Sequence, residues 1–254
     1  MVLLADGLID LRLGRWQEVL ADVETCDAVV TDPPYSARTH EGQRTTDDGS
    51  TGAHFRKPIG YAALDGVGVR EFVASMLPRT SGWTVCFTSH DLATDYARAM
   101  EEGGRYVFAP LPWLNEGGPV RLSGDGPSSW TCWIVVARPS TRAMQRWGTL
   151  PGGYSYDSRS DPAGARTSGI LGAKPLGLMQ AIIRDYTRPG DLVVDPFCGG
   201  GTTALACAIE GRRCITSEMD PVTFEKARAR LERGFTPSMF QRGPRVKAKQ
   251  GSLV

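Results

Sequence analysis

One stretch of this chain restricts its fold more than any other. Residues 192–203 read LVVDPFCGGGTT, in which an apolar run ends at Asp195 and three glycines precede a segment of helical character. Glycine accepts positive φ angles and lets another molecule approach the main chain closely. The free N–H groups at the start of a helix favour an anionic ligand. This order therefore predicts a βαβ unit with a binding site at its glycine turn.

An acidic residue follows the turn at a distance typical of nucleotide-binding folds. Glu218 lies 17 residues after Gly201, at the end of the next predicted strand. A carboxylate there can accept hydrogen bonds from both hydroxyls of a ribose, which predicts an adenosine-containing cofactor. The spacing Gly199-x-Gly201-x-x-Ala204 also fits a loose dinucleotide pattern, so an NAD-dependent oxidoreductase is an alternative. Against it, the turn comes late in the chain, with only one predicted strand after it.

A second motif, Asp32-Pro33-Pro34-Tyr35, directly follows a predicted buried strand at 28–31. The two prolines stiffen the backbone and lack N–H groups, so nothing local competes for their carbonyl oxygens. The Asp32 carboxylate and a carbonyl can then accept both hydrogens of one amino group, while Tyr35 offers a flat face for a base. Such acceptors would direct the delocalised lone pair of a base amine toward an electrophile. This chemistry has no role in hydride transfer.

Alternating strand and helix patterns predict an α/β fold with a doubly wound, mainly parallel sheet. Predicted strands cover 28–31, 83–88, 106–109, 131–137, 192–195 and 213–217, and predicted helices cover 16–23, 70–77, 92–100, 176–186, 202–210 and 221–231. We expect a single domain over 1–254. It would carry a polar flexible loop at 36–58, an irregular insert at 113–172 and a basic tail at 234–254.

The composition excludes several classes of protein. Hydrophobic residues make up 41% and charged residues 22%, which is ordinary for a globular chain. The mean hydropathy is −0.23, and no apolar run reaches the roughly 18 residues of a membrane span. Six cysteines form no C-x-x-C pair, and three histidines are too few for a zinc or haem site. We expect a cytoplasmic protein with reduced thiols, no metal and no membrane association.

Together the two motifs resemble those of the amino-group DNA methyltransferases, which use S-adenosylmethionine. The resemblance is to the permuted β group of that family, because the D-P-P-Y motif precedes the F-x-G-x-G turn. It includes Lys174 and Pro175 ahead of the turn, and it covers roughly 14–35 and 80–235 of the chain. The fold of that family is the Rossmann-like methyltransferase sheet.

The resemblance implies a reaction and a set of site residues. A target adenine would be flipped out of duplex DNA, and its N6 amine would attack the sulfonium methyl directly. Asp at the first motif position favours adenine-N6, whereas Ser is commoner in cytosine-N4 enzymes. The catalytic residues implied are Asp32, Pro33, Pro34 and Tyr35, and the cofactor-binding residues implied are Lys174, Pro175, Asp195, Phe197, Gly199, Gly201, Thr202 and Glu218.

Three alternatives to an adenine-N6 enzyme stay open. A cytosine-N4 methyltransferase shares every step except the shape of the base. An RNA or protein amide methyltransferase could use a similar acceptor motif. A catalytically silent DNA-binding protein could retain the fold, and it would bind DNA without binding the cofactor.

Double-stranded DNA is the expected partner. Seven basic residues and one acid lie between Arg228 and the end of the chain, which suits a polyanion. We place target recognition in 36–58 and 113–172, with Trp113 and Trp147 as candidates for exposed contacts and Trp133 in the core. Because the recognition region is short, a second subunit could share the contact with DNA, which is compatible with a homodimer. The resemblance implies a nucleoid-associated protein of a bacterium or phage, in the setting of restriction and modification.

Overall fold

The computed structural model describes residues 1–37, 63–115, 130–141, 147–158, 161 and 173–234. The strands β1 to β10 are, in chain order, Val2–Leu4, Ile9–Leu13, Ala28–Thr31, Thr84–Thr88, Arg105–Val107, Leu111–Leu114, Thr131–Pro139, Tyr154–Ser155, Leu192–Asp195 and Arg213–Glu218. The helices α1 to α6 are Trp16–Val19, Gly66–Met76, Ala93–Glu102, Leu176–Tyr186, Thr202–Ile209 and Pro221–Arg233, and a 3₁₀ turn at Leu77–Arg79 follows α2.

The strands form one sheet with a parallel centre. Their order is β1-β2-β10-β9-β3-β4-β7-β6-β8, and β5 pairs with β7. Strands β2, β10, β9, β3 and β4 run parallel to one another. The antiparallel pairs lie toward the two sides of the sheet, at β1–β2 and around β7. The sheet is therefore mixed, with the doubly wound parallel part in the middle.

Helices cover both faces of this sheet. Along β3, Ala28 and Val30 face the helices α4, α5 and α6, whereas Val29 faces α2 and α3. All four residues of β3 are buried. A strand covered by helices on both faces needs apolar side chains at successive positions. The sequence has such a run here, and the strand predicted at 28–31 therefore matches β3.

Several predicted elements were wrong or incomplete. The predicted helix at 16–23 is a single turn at Trp16–Val19, and the side chain of its N-cap Arg15 makes no capping hydrogen bond. Strands β1, β2, β6 and β8 were not predicted. The first two form an antiparallel pair around a turn in which Ala5, Asp6 and Gly7 have positive φ. Non-glycine residues rarely adopt that conformation, so local sequence gives little indication of this turn.

The predicted insert at 113–172 contains part of the sheet, because β7 pairs with β4 and β8 pairs with β6. The prediction of an exposed Trp113 was wrong. Its side chain is 7% exposed, and Nε1 donates to the Tyr156 carbonyl oxygen at 3.2 Å. Trp147 is partly buried, with the Arg188 guanidinium 3.6 Å from its ring centroid. Trp133 is partly buried rather than fully in the core.

Two other predicted regions lie largely outside the described residues. These are most of the loop at 36–58 and all but the first residue of the tail at 234–254. No helix in the described part of the chain combines the length and apolar content that a membrane span requires.

Candidate active site

The two motifs singled out in the sequence lie side by side. Strands β3 and β9 are adjacent and parallel, so the Asp32 motif and the glycine turn both follow the carboxyl edge of the sheet. The Thr31 hydroxyl donates to Asp195 Oδ1 at 2.6 Å, across 164 residues of sequence. In open α/β sheets this edge is where ligands bind. The topology thus combines the two predicted half-sites into one.

Asp32 presents its two carboxylate oxygens to different surroundings. The Lys174 ammonium forms an ion pair and hydrogen bond with Oδ2. Oδ1 is buried and has no hydrogen-bond partner among the described residues. Leaving a buried acceptor unpaired costs about 1–3 kcal/mol, so such an atom at an active-site edge is a candidate for contacting substrate. Pro33 beside it is buried, and Pro34 is partly buried.

Two hydrogen bonds hold Tyr35 in place, one at its hydroxyl and one at its main-chain carbonyl oxygen. Its hydroxyl forms a hydrogen bond of 2.8 Å with Cys132 Sγ, and its carbonyl oxygen accepts from Leu64 N at 3.1 Å. Burial, followed by the nearby Asp32 carboxylate, raises the pKa of Tyr35 well above its ordinary value. Tyr35 is therefore a neutral phenol at physiological pH. Sequence reasoning did not identify Cys132, because nothing local links it to a motif 97 residues earlier.

The glycine turn has the conformation that its sequence predicts. Gly199 and Gly201 have φ angles of 50° and 72°, and Gly201 is the N-cap of α5. A Cβ built at Gly199 would meet no atom within 4 Å, whereas one at Gly201 would lie 3.2 Å from Leu231. Space for a ligand is therefore open beside Gly199, while Gly201 is needed both for its backbone angle and for helix packing.

Glu218 connects the turn to the end of β10. Its Oε2 accepts from Gly199 N at 3.0 Å and its Oε1 accepts from Asp220 N at 3.0 Å. Burial raises the pKa of Glu218 above its ordinary value, and these backbone donors partly offset that effect. The carboxylate therefore lies directly at the turn, as predicted for a group that binds a ribose.

Asp195 lies beneath the turn rather than on its surface. The side chain is 1% exposed, and Oδ1 accepts from both Thr31 Oγ1 and Phe197 N. Burial raises the pKa of Asp195 to about 6, although hydrogen bonds from Thr31 and Thr203 oppose the increase. The Phe197 ring packs on Phe72, with centroids 5.7 Å apart. These contacts hold the entry to the turn in place.

The raised pKa of Asp195 makes a prediction about stability. The folded-state pKa of Asp195 exceeds the ~3.9 of an unfolded aspartate, so protonation of this side chain stabilises the folded state. This contribution to the unfolding free energy is complete below pH ~4. That contribution, on the order of 2–3 kcal/mol, is lost as the pH rises through about 6. Asp195→Asn keeps the size and one acceptor oxygen of the side chain, so we expect it to remove this pH dependence.

Urea unfolding between pH 4 and 8 tests the prediction. Asp6→Asn is the matched control, since Asp6 is exposed and asparagine tolerates its positive φ. Equal slopes of unfolding free energy against pH in Asp195→Asn and in the unsubstituted protein would contradict it.

A buried arginine supports the turn from α6. Arg230 is 4% exposed, and its Nη1 donates to the Gly200 carbonyl oxygen at 2.6 Å and to Thr202 Oγ1 at 2.8 Å. Burial lowers its pKa from the ordinary value. Arg230, one of the seven basic residues counted from Arg228 onward, therefore lies inside the fold and not on a basic surface. Its position three residues after the buried Ala227 would have placed it on the inner face of a helix.

Lys174 and Pro175 lie directly before the first residue of α4. Pro175 is the N-cap of the helix. The Lys174 ammonium contacts the Asp32 carboxylate, which belongs to the predicted catalytic motif and not to the predicted cofactor residues. The structure thus places Lys174 beside the group expected to contact the base.

Comparisons with solved structures identify similar folds. The structure resembles the crystal structure of an M1.HpyAVI complex with S-adenosylmethionine, with a TM-score of 0.62, 24% identity, and coverage of 88% of this chain and 100% of the other. It also resembles the cytosine-N4-specific PvuII DNA methyltransferase, with a TM-score of 0.60, 20% identity, and coverage of 87% and 86%. The fold is that of the DNA methyltransferases. At these identities the structural likeness is one of fold.

A protein-family comparison matches the C-terminal part of the chain. The N6/N4 methyltransferase family, described as DNA methylase, matches residues 158–229, which include α4, the glycine turn and Glu218. The type II methyltransferase M.Cfr9I of Citrobacter freundii is 26% identical over 145 residues, covering 54% of this chain and 48% of that protein. The chain therefore matches about half the length of such curated relatives.

Proposed function

We propose that this chain is a DNA methyltransferase that transfers a methyl group from S-adenosylmethionine to the N6 amine of adenine. One observation carries the proposal. The Asp32 carboxylate and the glycine turn follow neighbouring parallel strands, and the Thr31–Asp195 hydrogen bond joins the ends of those strands. The first group could accept from an amine, and the second is of the kind that binds nucleotides. The order of the motifs along the chain supports the permuted β group.

The residues around the turn fit the cofactor. Glu218 offers a carboxylate to ribose hydroxyls, and the open space beside Gly199 lets a ligand approach the main chain. The N-terminus of α5 at Thr202, with Arg230 behind it, suits the carboxylate of the methionine part. Asp195 and Phe197 would act by holding the turn. When bound, S-adenosylmethionine supplies an electrophilic methyl group on a sulfonium.

The Asp32 motif supplies what the amino group needs. The unpaired Oδ1 of Asp32 and the Pro33 carbonyl oxygen would accept the two hydrogens of the exocyclic amine, which favours a pyramidal nitrogen. Tyr35 remains uncharged and would stack on the base. The buried Cys198 has a pKa raised by burial, so it is a packing residue rather than a nucleophile.

The assignment to adenine rests on the acidic first residue of the motif. The cytosine-N4-specific neighbour shares the fold, so the base is a separate question for experiment. The substrate would be double-stranded DNA held by 36–58, by 113–172 and by the basic tail, and the protein would act in the cytoplasm of a bacterium or in a phage-infected cell. A homodimer would extend the contact with DNA.

Mass spectrometry of nucleosides tests the proposal directly. The chain is expressed in a host that lacks DNA methylation, with the empty vector as control. N6-methyladenine supports the full proposal, whereas N4-methylcytosine keeps the chemistry and corrects the base. Neither mark, from folded protein that binds S-adenosylmethionine, contradicts DNA as the substrate, and RNA is then assayed.

A further inference from the structure

Lys174 is a buried cation in an aromatic environment. Its side chain is 8% exposed, and its ammonium is paired with Asp32 Oδ2. The nitrogen lies 5.2 Å from the ring centroid of Tyr35, 5.1 Å from that of Phe87 and 5.8 Å from that of Trp113. Three strands and the start of α4 thus contribute to one small charged site.

This environment fixes the carboxylate in one orientation. A buried ammonium is costly unless a counter-ion and π faces compensate for lost hydration, so Lys174 and Asp32 hold each other in place. With Oδ2 bound to Lys174, the Asp32 carboxylate cannot rotate freely. Its other oxygen is the buried Oδ1 that lacks a partner among the described residues. One oxygen is thereby anchored and the other is left for substrate.

We propose that Lys174 is a positioning residue of the methyl-transfer site: its ammonium anchors Asp32 Oδ2 so that Oδ1 accepts from the target amine. This inference rests on the proposed function and assigns Lys174 to the base side of the site. The resemblance had implied a place for Lys174 at the cofactor. The two roles make opposite predictions for cofactor affinity and for the rate at saturating cofactor.

Lys174→Met separates these roles. Methionine keeps an unbranched apolar chain against the three rings and removes only the charge. We expect the single-turnover rate at saturating S-adenosylmethionine to fall about 100-fold, because small misplacements of reacting groups cost that much. We expect the Kd for S-adenosylmethionine, measured by calorimetry, to change by less than about threefold. Lys226→Met on the exposed side of α6 is the matched control, with no change expected in either quantity.

The outcomes distinguish the inference from the proposed function. An unaltered rate in Lys174→Met, or a Kd raised more than about tenfold with the rate restored at saturation, overturns the positioning role. An unsubstituted protein that binds S-adenosylmethionine but does not methylate DNA contradicts the proposed function instead.

A second variant guards against a folding defect in Lys174→Met. Lys174→Arg retains the cation, so we expect it to be at least about tenfold faster than a folded Lys174→Met. Equal rates in the two folded variants overturn the inference. Should Lys174→Met fail to fold, Lys174→Gln takes its place, because it also removes the charge. A lowered rate with unchanged Kd supports the inference, and an unaltered rate overturns it.

Discussion

Asp32→Ala is expected to abolish methyl transfer while S-adenosylmethionine binding survives. Asp32 supplies the buried Oδ1 that would accept from the target amine, and the glycine turn on β9 does not depend on that atom. Loss of one preorganised hydrogen-bonding group in an active site typically costs ~10²–10³ in rate, so we expect a fall of about a thousandfold in the single-turnover rate. The substitution also leaves Lys174 without its carboxylate partner, which adds to the loss.

Tritium transfer from labelled S-adenosylmethionine into DNA measures the rate, and calorimetry measures the cofactor Kd. Glu24→Ala, which removes an exposed carboxylate outside the site, is the control. Asp32→Asn keeps the shape and one acceptor oxygen but removes the charge, so its rate should lie between those of the alanine variant and the unsubstituted protein. Methyl transfer by Asp32→Ala at more than a tenth of the normal rate would rule out the catalytic role.

Glu218→Ala should have the opposite pattern to Asp32→Ala: it should weaken S-adenosylmethionine binding and leave the methyl-transfer rate nearly unchanged. The Glu218 carboxylate holds Gly199 N and Asp220 N and is placed to accept from ribose hydroxyls. Hydrogen bonds to a charged acceptor contribute about 1.5–3 kcal/mol each, so losing them should raise the Kd for S-adenosylmethionine about 100-fold. The rate at saturating cofactor should stay within a few fold, because Asp32 and Tyr35 are untouched.

The affinity is measured by calorimetry and the rate over a range of cofactor concentrations. Glu102→Ala, which removes an exposed carboxylate from the end of α3, is the matched control. A Glu218→Ala variant with normal cofactor affinity would exclude Glu218 from the binding site. Glu218→Gln separates charge from shape, and we expect its Kd to be intermediate.

The sequence alone predicted those parts of the site that depend on residues adjacent in the chain. The run at 28–30 is apolar because β3 is covered on both faces, and glycine suits positions 199 and 201 because both have positive φ angles. Both signals are local, and both were predicted correctly. That the two motifs follow the ends of parallel strands also implied that they share one edge of the sheet.

The contacts between distant segments could not be predicted. Lys174 meets Asp32 across 142 residues, and no periodicity or spacing encodes that pairing. Arg230 was included in the count of basic residues near the C-terminus because charge counts ignore which face of a helix a residue occupies. Trp113 was expected at the surface because β6 is short and lies beside Gly- and Pro-rich sequence, yet pairing with β7 places its side chain inside.

The position of β3 between β4 and β9 also governs how the protein is made. Thr31 leaves the ribosome 164 residues before Asp195, which at ~5–20 residues per second is a wait of roughly 10–30 s. Throughout that interval one edge of β3 lacks its native neighbour, and the centre of the sheet stays incomplete. Pairing over such separations carries a large loop-closure entropy and slows folding. The nascent chain therefore carries the Asp32 motif until Asp195, 164 residues after Thr31, and the glycine turn can pair beside it.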